Sequence, residues 1–375
     1  MKPLSNPFVI GKYVDKDYFC DRNKESELLV HHIVNGRNVA IMSERRLGKT
    51  GLIEHVFSNY LPDEYETFLI DIYTCKNLRE MVYLLANEVF KKISKRQPLI
   101  ERLLRIVRSL KATISYDAVT GQPELGLGLG EIHQPEVTLD EILEYLETSD
   151  KVCVVAVDEF QKVTSFEEGN VEALLRTKIQ HLKNTQFIFA GSERHLLEGI
   201  FSDPVRPFYN SVVFMHLLPI DQGEYIRFCL HLFARYGKTV SEMLVSRLYD
   251  CFQGITWYLQ LSMNEAFTMA ERGGHVDEEA YGQILNHMVD SKRFTFEDRY
   301  ASLTEKQKAV LQAIAAEFPR QPVLTSHEFI AKYHLKTASS IQTAVKGLTD
   351  KGILSDHHGT KRPTDLLFML WLKNF

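Results

Sequence analysis

The stretch "NVAIMSERRLGKTGLIEHVF", residues 38 to 57, runs from an apolar segment through the octet "SERRLGKT" into an amphipathic one. That order predicts a buried strand over "NVAIM" (38–42), a tight connection, and a helix opening near "GLIEHVF". Gly48, Lys49 and Thr50 then stand at the helix N-terminus, where free backbone N–H groups attract an anion. This is the chemistry of a phosphate-binding loop. The backbone of Arg46, Leu47, Gly48, Lys49, Thr50 and Gly51 is expected to cradle the phosphates of ATP or ADP. Lys49 neutralises β- and γ-phosphate charge, and the Thr50 hydroxyl binds Mg²⁺. The usual pattern opens on Gly, whereas this chain has Ser43; the substitution fits if the Ser43 backbone adopts the angles the turn requires.

Four further apolar runs have the character of strands buried on both faces: "TFLIDIY" (67–73), "VCVVAV" (152–157), "QFIFAG" (186–191) and "VVFMHL" (212–217). Helical stretches such as "LREMVYLLANEVFKKISK" separate them. The alternation predicts an α/β fold, a parallel P-loop NTPase sheet with helices on both faces. One segment, "KATISYDAVTGQPELGLGLG" (111–130), breaks it and is expected to be a hairpin insertion. Its glycines do not lie between an apolar strand and a helix, so they are assigned to packing and not to a second phosphate loop. From residue 220 to about residue 290 amphipathic helices take over, as in a small helical lid. Residues 291–375 show three helices and a short hairpin, the order of a winged helix-turn-helix. The expected domains are therefore 1–219, 220–290 and 291–375.

The second half of the site is "VDEFQ". Asp158 and Glu159 follow a strand without a polar residue, and the C-terminal ends of such strands are where open α/β sheets bind ligands. Asp158 is expected to hold Mg²⁺ together with Thr50, and Glu159 to act as general base on the attacking water. Ser192 follows "QFIFAG" and either senses the γ-phosphate or holds the water. Arg194 and Arg206 are candidates for stabilising transition-state charge, or ordinary structural arginines.

Composition sets limits on function. The 375 residues, 45% apolar and 25% charged, have the make-up of a folded multidomain protein, without an apolar run long enough for a bilayer. The N-terminal segment does not read as a secretory signal, so the expected location is cytoplasmic. Five widely spaced cysteines read as buried free thiols. The net charge of -5 is uneven: residues 291–375 carry thirteen Lys/Arg against eight Asp/Glu, a net +5, which leaves -10 for residues 1–290.

Together, "FCDRNKE" (19–25), "RRLGKT" (45–50), "VDEFQ" (157–161), "GSERHLLEGIF" (191–201), "RPFY" (206–209) and the closing "LLFMLWL" (366–372) resemble the archaeal-type ATPases of the STAND branch of AAA+-like P-loop proteins. The resemblance covers nearly the whole chain. It implies an ATPase domain, a lid and a winged helix acting as a nucleotide-dependent switch, with hydrolysis expected to be slow because Asn210 stands where many members have Arg. It also implies that Phe19, Asp21 and Arg22 lie near the adenine, with Pro219 and the lid segment "GITWYLQ" (254–260) closing over it. Two positions depart from the family: its lid often has Pro where this chain has Thr256, and many members have Arg where this chain has Asn210.

Three functions are consistent with these readings. The first is an ATP-hydrolysing switch, and the second a DNA-binding ATPase resembling replication initiators, with residues 291–375 on duplex DNA. The third is an ADP-loaded module that docks a protein partner through the same residues. The helix "TASSIQTAVKGL" offers a DNA groove few long donors, with Lys346 inside it and Lys336 before it. Lys361 and Arg362 in "SDHHGTKRPTD" add phosphate contacts. Oligomerisation stays open.

Overall fold

A computed structural model of the chain describes residues 4–93, 102–103, 109, 113–116, 123–126, 132–357 and 360–374. They fall into two units, residues 12–218 and residues 4–11 with 219–374.

The first unit contains, in chain order, β1 (Val39–Met42), β2 (Tyr65–Asp71), β3 (Thr113–Tyr116), β4 (Pro123–Gly126), β5 (Val152–Asp158), β6 (Thr185–Gly191) and β7 (Val213–His216). Five of these form one parallel sheet in the order β2-β5-β6-β1-β7. Helices Asn23–Val34, Lys49–Asn59, Leu78–Ile93, Pro135–Glu147, Val171–Ile179 and Arg194–Ser202 connect or precede the strands. The three inner strands are almost wholly buried, because helices cover both of their faces. The edge strands β2 and β7 are only partly buried, so the expectation of continuous burial holds for the centre of the sheet and not for its margins. β3 and β4 pair antiparallel, while their connecting turn and the glycines beyond residue 126 lie outside the described residues.

Register brings the functional ends of the strands together. Met42 pairs with Gly191, Val157 with Phe189, and Asp71 with Asp158. The segments that begin at Ser43, Glu159 and Ser192 therefore leave one edge of the sheet, at its carboxyl end. Beneath that edge Phe160 packs on Phe189 at 4.4 Å and on Phe208 at 5.6 Å, and Phe189 packs on Phe201 at 5.3 Å. All four rings are within 1% of full burial, and each such side chain contributes about 1.5–3 kcal/mol. The residue before Phe160 thus rests on a rigid support.

The second unit begins with the N-terminal arm. Phe8 is fully buried among Phe228, Phe233 and Phe267, while Asn6 donates to the Asn264 carbonyl and Asn264 donates to that of Phe8. Helices Gln222–Arg235, Glu242–Phe252, Thr256–Met269, Ala280–Asp290 and Arg293–Ala301 follow, with the two-residue parallel strands β8 (Thr239–Val240) and β9 (His275–Val276) between them. The C-terminal part has helices Glu305–Glu317, His327–Lys332 and Ala338–Asp350, then an antiparallel pair, β10 (Leu354–His357) and β11 (Thr360–Pro363). This is a winged helix. A closing helix, Leu366–Asn374, buries every residue from Leu366 to Leu372, and the Tyr258 hydroxyl accepts from Leu366 N–H at 3.0 Å. All five cysteines are buried, and none is in a disulfide.

Candidate functional site

The phosphate-loop octet joins β1 to the helix Lys49–Asn59 as the sequence predicts. Its left-handed residues are Arg46 (φ 70°) and Gly48 (φ 89°), and Ser43 is not one of them. The absence of Gly at position 43 therefore costs the loop little. Ser43 is buried, and its hydroxyl donates to the Glu44 carbonyl at 2.8 Å, which fixes the start of the turn. Gly48 caps the helix in a conformation that strains any other residue.

Lys49 is only 6% exposed. Burial pushes its ammonium below the ordinary lysine range, and the carboxylates of Asp158 and Glu159 oppose that shift. A cation so placed gains most from an anion that completes its shell. Next to it the Thr50 hydroxyl donates to Asp158 Oδ2 at 2.5 Å, and Glu159 N–H donates to Asp158 Oδ1 at 2.9 Å. Thr50 and Asp158, 108 residues apart in sequence, thus share one point in space. Burial raises the Asp71 carboxyl against the Tyr73 N–H that lowers it, and the nearby Asp158 and Glu159 charges raise it further.

Glu159 has left-handed backbone, φ 56° and ψ 38°. Its Oε2 accepts from Gln161 Nε2 at 2.5 Å and from the Ser192 hydroxyl at 2.8 Å. Burial alone would raise this carboxyl; the Gln161 and Ser192 donors and the Lys49 charge outweigh it and hold Glu159 below its ordinary range. Arg45 Nε reaches the Ser192 hydroxyl at 3.3 Å, and its guanidinium lies 3.5 Å from Glu193. The two other arginines have structural partners: Arg194 lies 3.9 Å from Glu198 one turn on, and Arg206 pairs with Glu172 at 3.3 Å. Asn210 is left-handed at φ 54°, a conformation Asn accepts more readily than Arg does.

Lys16, Asp17, Phe19, Asp21, Asn23, His55, Asn59 and Tyr60 line a concavity beside the loop. Phe19 stacks on His55 with centroids 4.3 Å apart, and Tyr13 meets both rings edge-on. A side chain at Gly51 would touch the Phe19 ring at 3.4 Å, so Phe19 lies directly over the start of the loop helix. Asp21 and Arg22 are left-handed in succession, at φ 53° and 70°. Arg22 is buried and ties the segment together, bonding Glu25 at 2.7 Å and the Leu47 carbonyl at 3.4 Å. Pro219 belongs to the other unit, where a Cβ on Gly254 would lie 2.7 Å from the Pro219 Cβ.

The first unit therefore gathers Lys49, Thr50, Asp158, Glu159 and Ser192 at one strand edge, with Phe19, Asp21 and Arg22 on the adjoining segment. Sequence reading does not single out Arg45, Gln161, Asp71 or His55. Arg45 lies inside the recognised loop and Gln161 inside "VDEFQ", but their partners are set by the fold. Among the described residues no group of three or more His, Cys, Asp or Glu forms a cage for a metal. None of their helices is long and apolar enough to cross a membrane.

The chain thus has a parallel sheet carrying a phosphate-type loop, followed in sequence by a helical segment and a winged helix. Comparison with solved structures agrees. The chain is similar to a Walker-type ATPase of Pyrococcus abyssi, at 19% identity over 98% of this chain and 99% of that one, with a TM-score of 0.63. It is also similar to an ORC2 protein of Aeropyrum pernix solved as ADPNP-ADP complexes, at 13% identity over 98% and 95% of the two chains, with a TM-score of 0.59. Residues 294–374 match the family described as a probable winged helix domain. No curated protein matches the sequence.

Proposed function

We propose that the protein binds ATP with Mg²⁺ and hydrolyses it slowly, as a STAND-type switch whose lid and winged helix respond to the nucleotide. The observation that carries this reading is the convergence of the Thr50 hydroxyl on Asp158, with Glu159 held by Ser192 beside it. A hydroxyl and a carboxylate are hard oxygen donors of the kind Mg²⁺ takes when phosphate oxygens complete its shell. When bound, the ion would neutralise charge on the β- and γ-phosphates. Lys49 supplies fixed positive charge to the same oxygens, and the N–H groups of residues 46–51 orient them. Glu159 accepts the proton of the attacking water while that oxygen bonds to the γ-phosphorus. The bond from phosphorus to the bridging oxygen breaks, and its electrons leave with ADP. Ser192 keeps Glu159 in place, and Phe19 offers a flat face to the base.

The ORC2 protein's likeness favours a second reading, a DNA-binding ATPase resembling replication initiators. The wing weakens it, because Lys361 already pairs with Asp356 at 2.6 Å and Arg362 donates to Gln321 at 3.0 Å. Titration calorimetry with Mg²⁺-ATP tests the nucleotide reading. Lys49→Ala is expected to weaken binding at least tenfold, about 1.4 kcal/mol or more. Equal affinity in parent and variant would reject the phosphate-loop assignment.

A further inference from the structure

Gln161 is 2% exposed, in the short turn of helix Phe160–Ser165, two residues past Glu159. Its Nε2 donates at 2.5 Å to Glu159 Oε2, which also accepts from Ser192 Oγ at 2.8 Å and Ser192 N–H at 3.4 Å. Its other amide atom, Oε1, is buried without a hydrogen-bond partner. Reversing the amide would set that carbonyl against the Glu159 carboxylate, so charge fixes the orientation. A side chain added at Gly191, the last residue of β6, would collide with Gln161 Oε1 and come within 3.2 Å of Leu197. The space that a Cβ would need is filled by the amide. A buried, unsatisfied carbonyl is unfavourable, and packing alone would be served better by an apolar side chain of the same length. What the amide provides in return is the bond to Glu159.

We propose that Gln161, seated against Gly191, is a positioning residue for Glu159: it immobilises Oε2 and leaves Oε1 to take the proton from the attacking water. The inference rests on the ATP-hydrolysis reading above.

The test uses the full chain, with kcat and KM for Mg²⁺-ATP and nucleotide affinity by calorimetry. Gln161→Met keeps the length of the side chain and removes the donor. Its kcat is expected to fall roughly tenfold or more, since small misplacements of a reacting group cost that much, while KM and Kd stay within about twofold. Gly191→Ala, which displaces the amide while leaving Gln161 in the sequence, should have a similar effect. The double variant should be no slower than the worse single one, because both act on the same contact. In a Glu159→Gln background, Gln161→Met should change nothing further. Unchanged or raised kcat in Gln161→Met, affinity lost in step with rate, multiplicative effects in the double variant, or a further loss in the Glu159→Gln background would each overturn the proposal. If Glu159→Gln is slow and Gln161→Met is not, the positioning role alone falls. If Glu159→Gln turns over like the parent, or the parent does not turn over, the hydrolytic reading fails and takes the inference with it.

Discussion

At the scale of single residues, Glu159 stands in a backbone conformation that non-glycine residues seldom adopt, and left-handed geometry of that kind costs about 1–2 kcal/mol. The cost is sustained by neighbours on both sides. Asp158 Oδ1 accepts from the Glu159 N–H, and Phe160, next in sequence, is fixed in the aromatic cluster. Such geometry points the carboxylate away from the strand's own direction and towards Ser192. Glu159→Gln keeps the shape and an oxygen for the Ser192 and Gln161 donors but removes the base. Hydrolysis is expected to fall roughly a hundredfold or more with ATP affinity retained, measured by phosphate release and by calorimetry. Turnover equal to the parent's would place the base elsewhere. Arg206 pairs with Glu172 in this conformation, so a part in stabilising transition-state charge would require that pair to open.

At the scale of elements, what the sequence makes legible is whatever local chemistry determines. The inner strands, the loop octet and the helix starting at Lys49 are written in consecutive residues, as apolar runs, glycine and a helix N-terminus. The Asp158–Glu159 pair is legible for the same reason, as acid at the end of an apolar strand. Contacts between distant segments are not. The Arg45 bond to Ser192 spans 147 positions, and the Asn264 bond to Phe8 spans 256, so neither leaves a periodic signal. Successive left-handed residues at Asp21 and Arg22 are equally silent, because their side chains do not announce the backbone they occupy. Gly254 shows the energetic side of such close contacts. It is left-handed at φ 72°, and a Cβ would lie 2.7 Å from both Pro219 and the Tyr249 hydroxyl. Gly254→Ala combines backbone strain with overpacking and should destabilise its unit by about 2–4 kcal/mol. Chemical denaturation of the two proteins measures this directly; a loss below about 0.5 kcal/mol would mean that the segment joining the helices Glu242–Phe252 and Thr256–Met269 relaxes freely.

At the scale of the whole molecule, the net +5 of residues 291–375 is the feature that most invites a nucleic-acid reading, and its arrangement decides whether that reading holds. Counterion release rewards cations that reach phosphates together, not a positive sum spread over a domain. In the winged helix, Lys332 is engaged by Glu317, Lys361 by Asp356 and Lys308 by Glu305. The helix Ala338–Asp350 exposes Ser339, Gln342, Thr343 and Lys346, a single long cationic donor within the element that would enter a groove. Exposed Lys336 precedes it. We therefore expect the full chain to show no measurable binding to a random duplex in fluorescence anisotropy at low salt, with either ATP or ADP present. The alternative makes an equally definite statement. If the winged helix docks on DNA, the wing pairs must open, affinity must fall steeply with salt, and neutralising Lys361 and Arg362 together must lower the salt slope by about one to two units. Those residues lie outside the unit that holds the phosphate loop, so ATP affinity should stay the same in either case. Measured duplex binding with that slope change would make the basic C-terminal unit a DNA reader and move the protein to the initiator-like reading. Its absence would set the initiator-like reading aside and leave the proposed nucleotide-dependent switch to be tested by the nucleotide measurements above.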